Sequence, residues 1–155
     1  MPILIVPIFT TFILGIIYIY VISVPIGACM DWLVKFLSGM QGGNAVLLGA
    51  IIGAMTAVDM GGPINKTATA FTLALMAEGV YAPNGAHRIA CAIPPLALAL
   101  STFIDRKKYS ADDKNLGISA LFMGTIGITE AAIPFAVKDM KRVLPAIIIG
   151  SAVGG

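Results

Sequence analysis

Apolar residues fill this chain in blocks, and the breaks between blocks are short and sharply polar. The first block covers residues 3–24, and no charged residue precedes Asp31. A helix that crosses a bilayer needs about 20 apolar residues, so this block predicts a membrane span. It is expected to end near Pro25-Ile26-Gly27, because proline removes a backbone donor and disfavours helix before it. Residues 31–40 then place Trp32, Leu33, Phe36, Leu37 and Met40 at helical spacing. That pattern predicts an amphipathic helix at the membrane interface, with Trp32 at headgroup level. Gln41-Gly42-Gly43-Asn44 reads as a turn.

The next block is interrupted. Residues 45–58 and 67–77 are uncharged and apolar, and between them stands Asp59-Met60-Gly61-Gly62-Pro63-Ile64-Asn65-Lys66. Each flank is too short to span comfortably alone. Two short apolar segments split by glycine and proline predict a broken membrane helix, and such breaks tend to hold a substrate. Within the first flank, Gly49 and Gly53 are spaced to let another helix approach closely. Residues 78–88 read as a polar connection turning at Pro83-Asn84-Gly85, with His87 and Arg88 in it.

Residues 89–104 predict another span. It contains Pro94-Pro95, tolerable only where neighbours satisfy the carbonyls that proline frees. Residues 105–115 form an aqueous loop with Arg106, Lys107, Lys108 and Lys114, which the positive-inside rule places in the cytoplasm. Residues 116–137 are apolar except at Glu130, and Lys138, Lys141 and Arg142 make a second basic patch. A single crossing would put that patch outside. A re-entrant hairpin with Glu130 and Pro134 at its tip keeps both patches cytoplasmic. The last run, 143–155, is too short to finish a span and reads as a truncated helix.

Composition agrees with this pattern. The 155 residues are 58% hydrophobic and 12% charged, against roughly 25% charged in soluble domains. The expected class is an all-α integral membrane protein with several transmembrane helices, one broken helix and one re-entrant hairpin. A formal net charge of +2, scattered along the chain, gives no footprint for nucleic acid. Cys29 and Cys91 lie in apolar contexts, and no paired Cys/His spacing supports a metal site. His87, the one histidine, is expected in a solvated loop or interface. Nothing calls for a cofactor.

The ionisable groups at membrane depth are Asp59, Lys66 and Glu130. Each costs at least ~2.5 kcal/mol there if unpaired. Asp59 and Lys66 can neutralise each other and pin the break. Alternatively, they line a polar cavity with Asn65. Gly61 and Gly62 then let the backbone approach a ligand, and the amides after Pro63 point at it. Such a mixture of donors and acceptors suits a polyol. The Glu130 carboxylate can accept from two neighbouring hydroxyls or take a hydroxyl proton as a general base. Phe135 is expected to pack rather than stack on a sugar.

Four motifs carry a resemblance. The run from Gly49 through Asp59-Met60-Gly61-Gly62-Pro63-Ile64-Asn65-Lys66, then Ile93-Pro94-Pro95-Leu96, then Gly127-Ile128-Thr129-Glu130-Ala131-Ala132-Ile133-Pro134-Phe135, then Arg142-Val143-Leu144-Pro145 with Gly150-Ser151-Ala152-Val153-Gly154, closely resemble EIIC. This is the membrane component of fructose-family sugar phosphotransferase systems. The resemblance implies a sugar-translocating subunit in a bacterial inner membrane, expected to be a homodimer. It implies EIIB and EIIA partners that supply the phosphoryl group, the donor being an EIIB phosphocysteine absent from this chain. It carries the binding of sugar hydroxyls onto Glu130, with Thr129 beside it, and a part in the site onto Asp59, Asn65 and Lys66 of the octet, to which the residue reading adds Gly61, Gly62 and proton removal by Glu130. It covers nearly the whole chain, which would then be a partial EIIC. Ala131 and residues 137–140 depart from the commonest fructose pattern, so fructose and related sugars such as mannosylglycerate stay open. An ion- or proton-coupled transporter relaying through Asp59, Lys66 and Glu130, or a non-catalytic membrane fragment, are the competing readings.

Overall fold

The computed structural model describes residues 2–39 and 44–155, and every regular element among them is helical. Helix α1 (Pro2–Ile17), a wide π turn (Tyr18–Ile22) and α2 (Ser23–Ser38) follow one another without a break. The expected stop at Pro25 does not occur. The wide turn lies just before it: the Ser23 amide donates to the Tyr18 carbonyl, and the Ser23 hydroxyl donates to the Ile19 carbonyl. The interfacial segment therefore continues the first span as the end of α2. The expected turn at residues 41–43 lies outside the described residues.

Among the described residues, two stretches are long and apolar enough to cross a membrane, Val6–Ser38 and Ala82–Ile104. On the first, Phe9, Phe12 and Tyr20 are 61%, 65% and 75% exposed. Apolar side chains turned outward along a rod suit contact with lipid rather than water. At its far end Leu37 is buried in the bundle, while Trp32 faces out and stacks on Phe36.

The bundle follows. Helix α3 (Ala45–Val58) ends where Asp59 to Gly62 leave helical geometry, and α4 (Pro63–Ala77) starts at the proline. Proline suits a first helical position, where its missing N–H is not needed. Leu48, Ile52 and Met55 of α3 share a buried cluster with Ala68, Phe71 and Leu75 of α4. Ala45, at the start of α3, and Val80, just past α4, line one cleft. The two helices thus lie antiparallel, and the polar octet closes their hairpin.

Helix α5 (Ala82–Ile104) starts earlier than the sequence led one to expect. The turn is made near Gly79, at φ +88°, and Pro83-Asn84-Gly85 form the first turn of the helix instead. Pro83 is acceptable there for the same reason as Pro63. This places His87 inside α5, where it is only 1% exposed, rather than in a solvated loop.

Helix α5 is central, packed against α3, α4, α6 and α8. It runs through Pro94-Pro95 as one helix. Those prolines free the carbonyls four residues earlier, at Ala90 and Cys91. Both are taken by hydroxyls from other elements: Ser151 Oγ donates to the Ala90 carbonyl at 3.4 Å, and Thr129 Oγ1 donates to the Cys91 carbonyl at 3.2 Å. The requirement set by the sequence is met in this way.

Helix α6 (Ala111–Thr125) begins with a capping box in which Ser110 and Asp113 bond reciprocally. Gly127, at φ +78°, turns the chain into a short 3-10 helix (Thr129–Ala132), α7 (Ile133–Lys138) and α8 (Met140–Gly154). Lys138, at the end of α7, pairs with Asp113, at the start of α6. The chain has therefore come back to where it set out. Phe135 is buried in a second cluster with Ala57, Leu98, Ala99, Ala120, Ala132 and Ile147, so it packs as expected. The Gly49/Gly53 spacing is used by α8. A Cβ on Gly53 would lie 2.0 Å from the Ser151 carbonyl oxygen, and one on Gly49 2.5 Å from that of Gly155.

Candidate functional site

The octet is shaped by its own carboxylate. Asp59 Oδ2 accepts from the Ile64 amide at 2.6 Å, and Oδ1 accepts from the Asn65 amide at 3.1 Å. These are first-turn donors of α4, which have no partner within the helix, and a negative charge is favoured at that end. The carboxylate lies against Gly62, where a Cβ would come 2.6 Å from Oδ2. Met60 at φ 47° and Gly61 at φ +114° carry the turn through left-handed backbone. A non-glycine residue there is uncommon, and such strain tends to collect at functional sites.

Two expectations are revised by this geometry. Asp59 pins the break by capping α4, not by pairing with Lys66. The amides after Pro63 are already engaged by Asp59, so they do not point at a ligand.

Asn65 is 4% exposed. Its Nδ2 donates to the Thr56 carbonyl at 3.1 Å, in the last turn of α3, and this ties the hairpin's two arms together at the octet. Thr129 is 2% exposed, with its hydroxyl turned to the Cys91 carbonyl. Asn65 and Thr129 thus act in this structure as internal ties.

Lys66 and Glu130 do meet. Lys66 Nζ is 3.6 Å from Glu130 Oε1, with side chains 63% and 46% exposed. Glu130 also rests on Gly61, where a Cβ would come 2.4 Å from Oε1. The absence of a side chain at Gly61 is what admits the carboxylate. The structure therefore brings the hairpin of α3 and α4 and the Thr129–Ala132 turn to one place. An ion pair this long and exposed contributes about 0–1 kcal/mol, and 3.6 Å exceeds a normal hydrogen-bond length. The ammonium retains donors and the carboxylate retains acceptors. A ligand hydroxyl can bridge them at little cost.

His87 is the site-forming residue that sequence reasoning missed. Its Nδ1 is 2.9 Å from Thr56 Oγ1 on α3, and its Nε2 is 2.9 Å from Thr69 Oγ1 on α4. A turn signal just before it and Arg88 just after it masked a buried position. Spacing alone could have raised the question, since His87 and Cys91 lie one turn apart on the same face of a helix.

Comparison with known proteins places these residues in context. The chain is 49% identical over 156 residues to a "PTS system fructose-specific EIIC component" of Haloferax volcanii, covering 100% of this chain and 42% of that protein. It is 46% identical over 154 residues to "Fructose-like permease IIC component 2" of Escherichia coli, covering 99% of this chain and 43% of that one. It is 45% identical over 154 residues to a "PTS system fructose-specific EIIABC component" of Bacillus subtilis, covering 99% of this chain and 24% of that one. The chain spans less than half the length of these three relatives. No protein-family model matches it, and no solved structure matches it.

Proposed function

We propose, from the premise that this chain is similar throughout its length to part of the EIIC component of fructose phosphotransferase systems, that it forms the sugar-binding part of such a subunit. The observation that carries this reading is the meeting of Lys66 and Gly61 with Glu130. A fructose-type sugar lying on the open side of that pair would place one hydroxyl between Nζ and Oε1. Glu130 would accept from sugar hydroxyls and, at the moment of phosphoryl transfer, take the proton of the attacking one. Lys66 would donate to the same or a neighbouring oxygen. The phosphoryl group would come from a separate EIIB domain recharged by EIIA. Fusions named EIIB'BC and EIIABC among the relatives support that pairing.

Of the other residues expected at the site, Gly61 would stay in contact with the sugar. Asp59, Gly62, Asn65 and Thr129 would shape the site from behind, because the side chains of Asp59, Asn65 and Thr129 and the backbone of Gly62 are already engaged. A proton relay through Asp59 is less well supported, since both its carboxylate oxygens accept backbone amides.

In the membrane, we read α6 to α7 as the re-entrant hairpin. The Asp113–Lys138 pair supports this by closing its two ends on one side. Loop 105–115 and the Lys138–Arg142 patch would then both face the cytoplasm. The α3–α4 hairpin would be the broken element, with its octet tip meeting Glu130 at membrane depth. The assembly would be a multi-pass protein of the bacterial inner membrane, working as a homodimer. Fructose titrated by calorimetry into the detergent-solubilised protein tests the site. Glu130→Gln is expected to lose binding at least tenfold with helical content intact. Unchanged affinity would remove Glu130 from contact with sugar.

A further inference from the structure

The buried histidine closes a ring of hydrogen bonds behind the site. Thr56 Oγ1 donates to the Ile52 carbonyl at 2.8 Å and lies 2.9 Å from His87 Nδ1. His87 Nε2 lies 2.9 Å from Thr69 Oγ1 and 3.7 Å from Cys91 Sγ, and a neutral imidazole donates from one ring nitrogen and accepts at the other. Thr69 Oγ1 also lies 3.0 Å from the Asn65 carbonyl, and Asn65 Nδ2 returns to the Thr56 carbonyl. The ring Thr56–His87–Thr69–Asn65 thus joins α3, α4 and α5 directly below the octet, and Lys66 is the residue next to Asn65. One turn further along α5, the Cys91 carbonyl accepts the Thr129 hydroxyl, and Glu130 is the residue next to Thr129. Two successive turns of one helix therefore hold the two halves of the Lys66–Glu130 pair.

We propose that His87 is a positioning residue for the sugar site: by fixing the α3–α4 tip on α5, it sets the spacing of Lys66 and Gly61 from Glu130. This rests on the reading of Glu130 as a sugar contact. It needs no contact between the imidazole and the sugar. The geometry leaves little freedom, because both ring nitrogens are engaged and the ring is almost fully enclosed. A polar network of this kind holds one arrangement when complete and loosens when one member is lost.

The test is fructose binding to the full chain in detergent, measured for His87→Phe, Thr69→Val, Lys66→Met and the double substitution His87→Phe/Lys66→Met. His87→Phe keeps the ring's bulk and removes both bonds. It is expected to weaken binding roughly tenfold, the scale of losing a member of a buried hydrogen-bond network. Thr69→Val, which breaks the same ring from the other side with little change of shape, is expected to reproduce most of that loss. It also serves as the probe if His87→Phe does not fold. In the Lys66→Met background, adding His87→Phe is expected to change affinity less than threefold, because the pair being positioned is already gone. His87→Gln, which restores a bond to Thr69, is expected to recover part of the affinity.

Full additivity of His87→Phe and Lys66→Met would overturn the proposal, as would native affinity in both His87→Phe and Thr69→Val. The reading beneath it fails separately: it falls if Glu130→Gln, or the native chain against a chain lacking both Lys66 and Glu130 side chains, shows no difference in fructose binding. A loss in Glu130→Gln together with no loss in the ring variants leaves the site standing and removes only the role of His87.

Discussion

Thr129→Val deletes one hydroxyl and nearly preserves shape. In the native protein the Cys91 carbonyl has no N–H four residues on, because that position is Pro95. Thr129 Oγ1 reaches this carbonyl at 3.2 Å, in a buried setting. Hydrogen bonds between helices in membrane proteins contribute about 0.6 kcal/mol on average and up to about 1.7. Leaving a buried acceptor unpaired costs about 1–3 kcal/mol. Thr129→Val is therefore expected to destabilise the protein by about 1–2 kcal/mol.

The decisive comparison is the same substitution in a Pro95→Ala background. There the new amide at position 95 can bond the Cys91 carbonyl within the helix, so losing the Thr129 hydroxyl should cost about 0.5 kcal/mol or less. Denaturant unfolding of all four proteins in detergent, followed by helical circular dichroism, gives the coupling. Equal costs in the two backgrounds would refute the idea that Thr129 is there to satisfy a proline-freed carbonyl.

Asp59→Ala removes a carboxylate that accepts two first-turn amides of α4. A lost cap of this kind costs about 1–2 kcal/mol, and the same unfolding assay should show it, with Asp59→Asn retaining part of the stability. The Asp113 carboxyl is held below its ordinary 3.8, chiefly by the hydrogen bond from Lys138 and then by Ser110. Because the folded value is depressed, its contribution is present above 3.8 and lost as pH falls through the lower folded value. Hydrogen exchange of residues 133–138 is therefore expected to speed up only in strong acid, and Lys138→Met should abolish that pH dependence; no change in either measurement would contradict the pairing.

Much of the framework can be read from the residues, and the limits have physical causes. The break at Asp59-Met60-Gly61-Gly62-Pro63 and the restart of helix at Pro63 follow from local chemistry. So does the demand that something satisfy the carbonyls freed by Pro94-Pro95. The Gly49/Gly53 spacing signals a close helix neighbour, but it does not say that the neighbour is Ser151 and Gly155. Charge patterning puts Lys138 and the loop before α6 on the same side, and the structure pairs Lys138 with Asp113. What fails is partner choice across long sequence separations. Asp59 and Lys66 are near in sequence and opposite in charge, so they look paired. Capping geometry claims Asp59, and tertiary packing hands Lys66 to Glu130. His87 looks like loop chemistry beside Pro83-Asn84-Gly85, because its partners, Thr56 and Thr69, lie on two other helices. Thr129 looks like a companion of Glu130 facing sugar, while its hydroxyl in fact points back to α5.

The central claim is that the Lys66–Glu130 pair is part of a sugar path coupled to phosphorylation. Uptake of labelled fructose into membrane vesicles carrying this chain together with the proposed EIIB and EIIA proteins tests that most directly. The account predicts accumulation of phosphorylated fructose, dependent on those partners and abolished by Glu130→Gln. Accumulation of free fructose driven by a proton gradient without the partners, or uptake unaffected by Glu130→Gln, would contradict it.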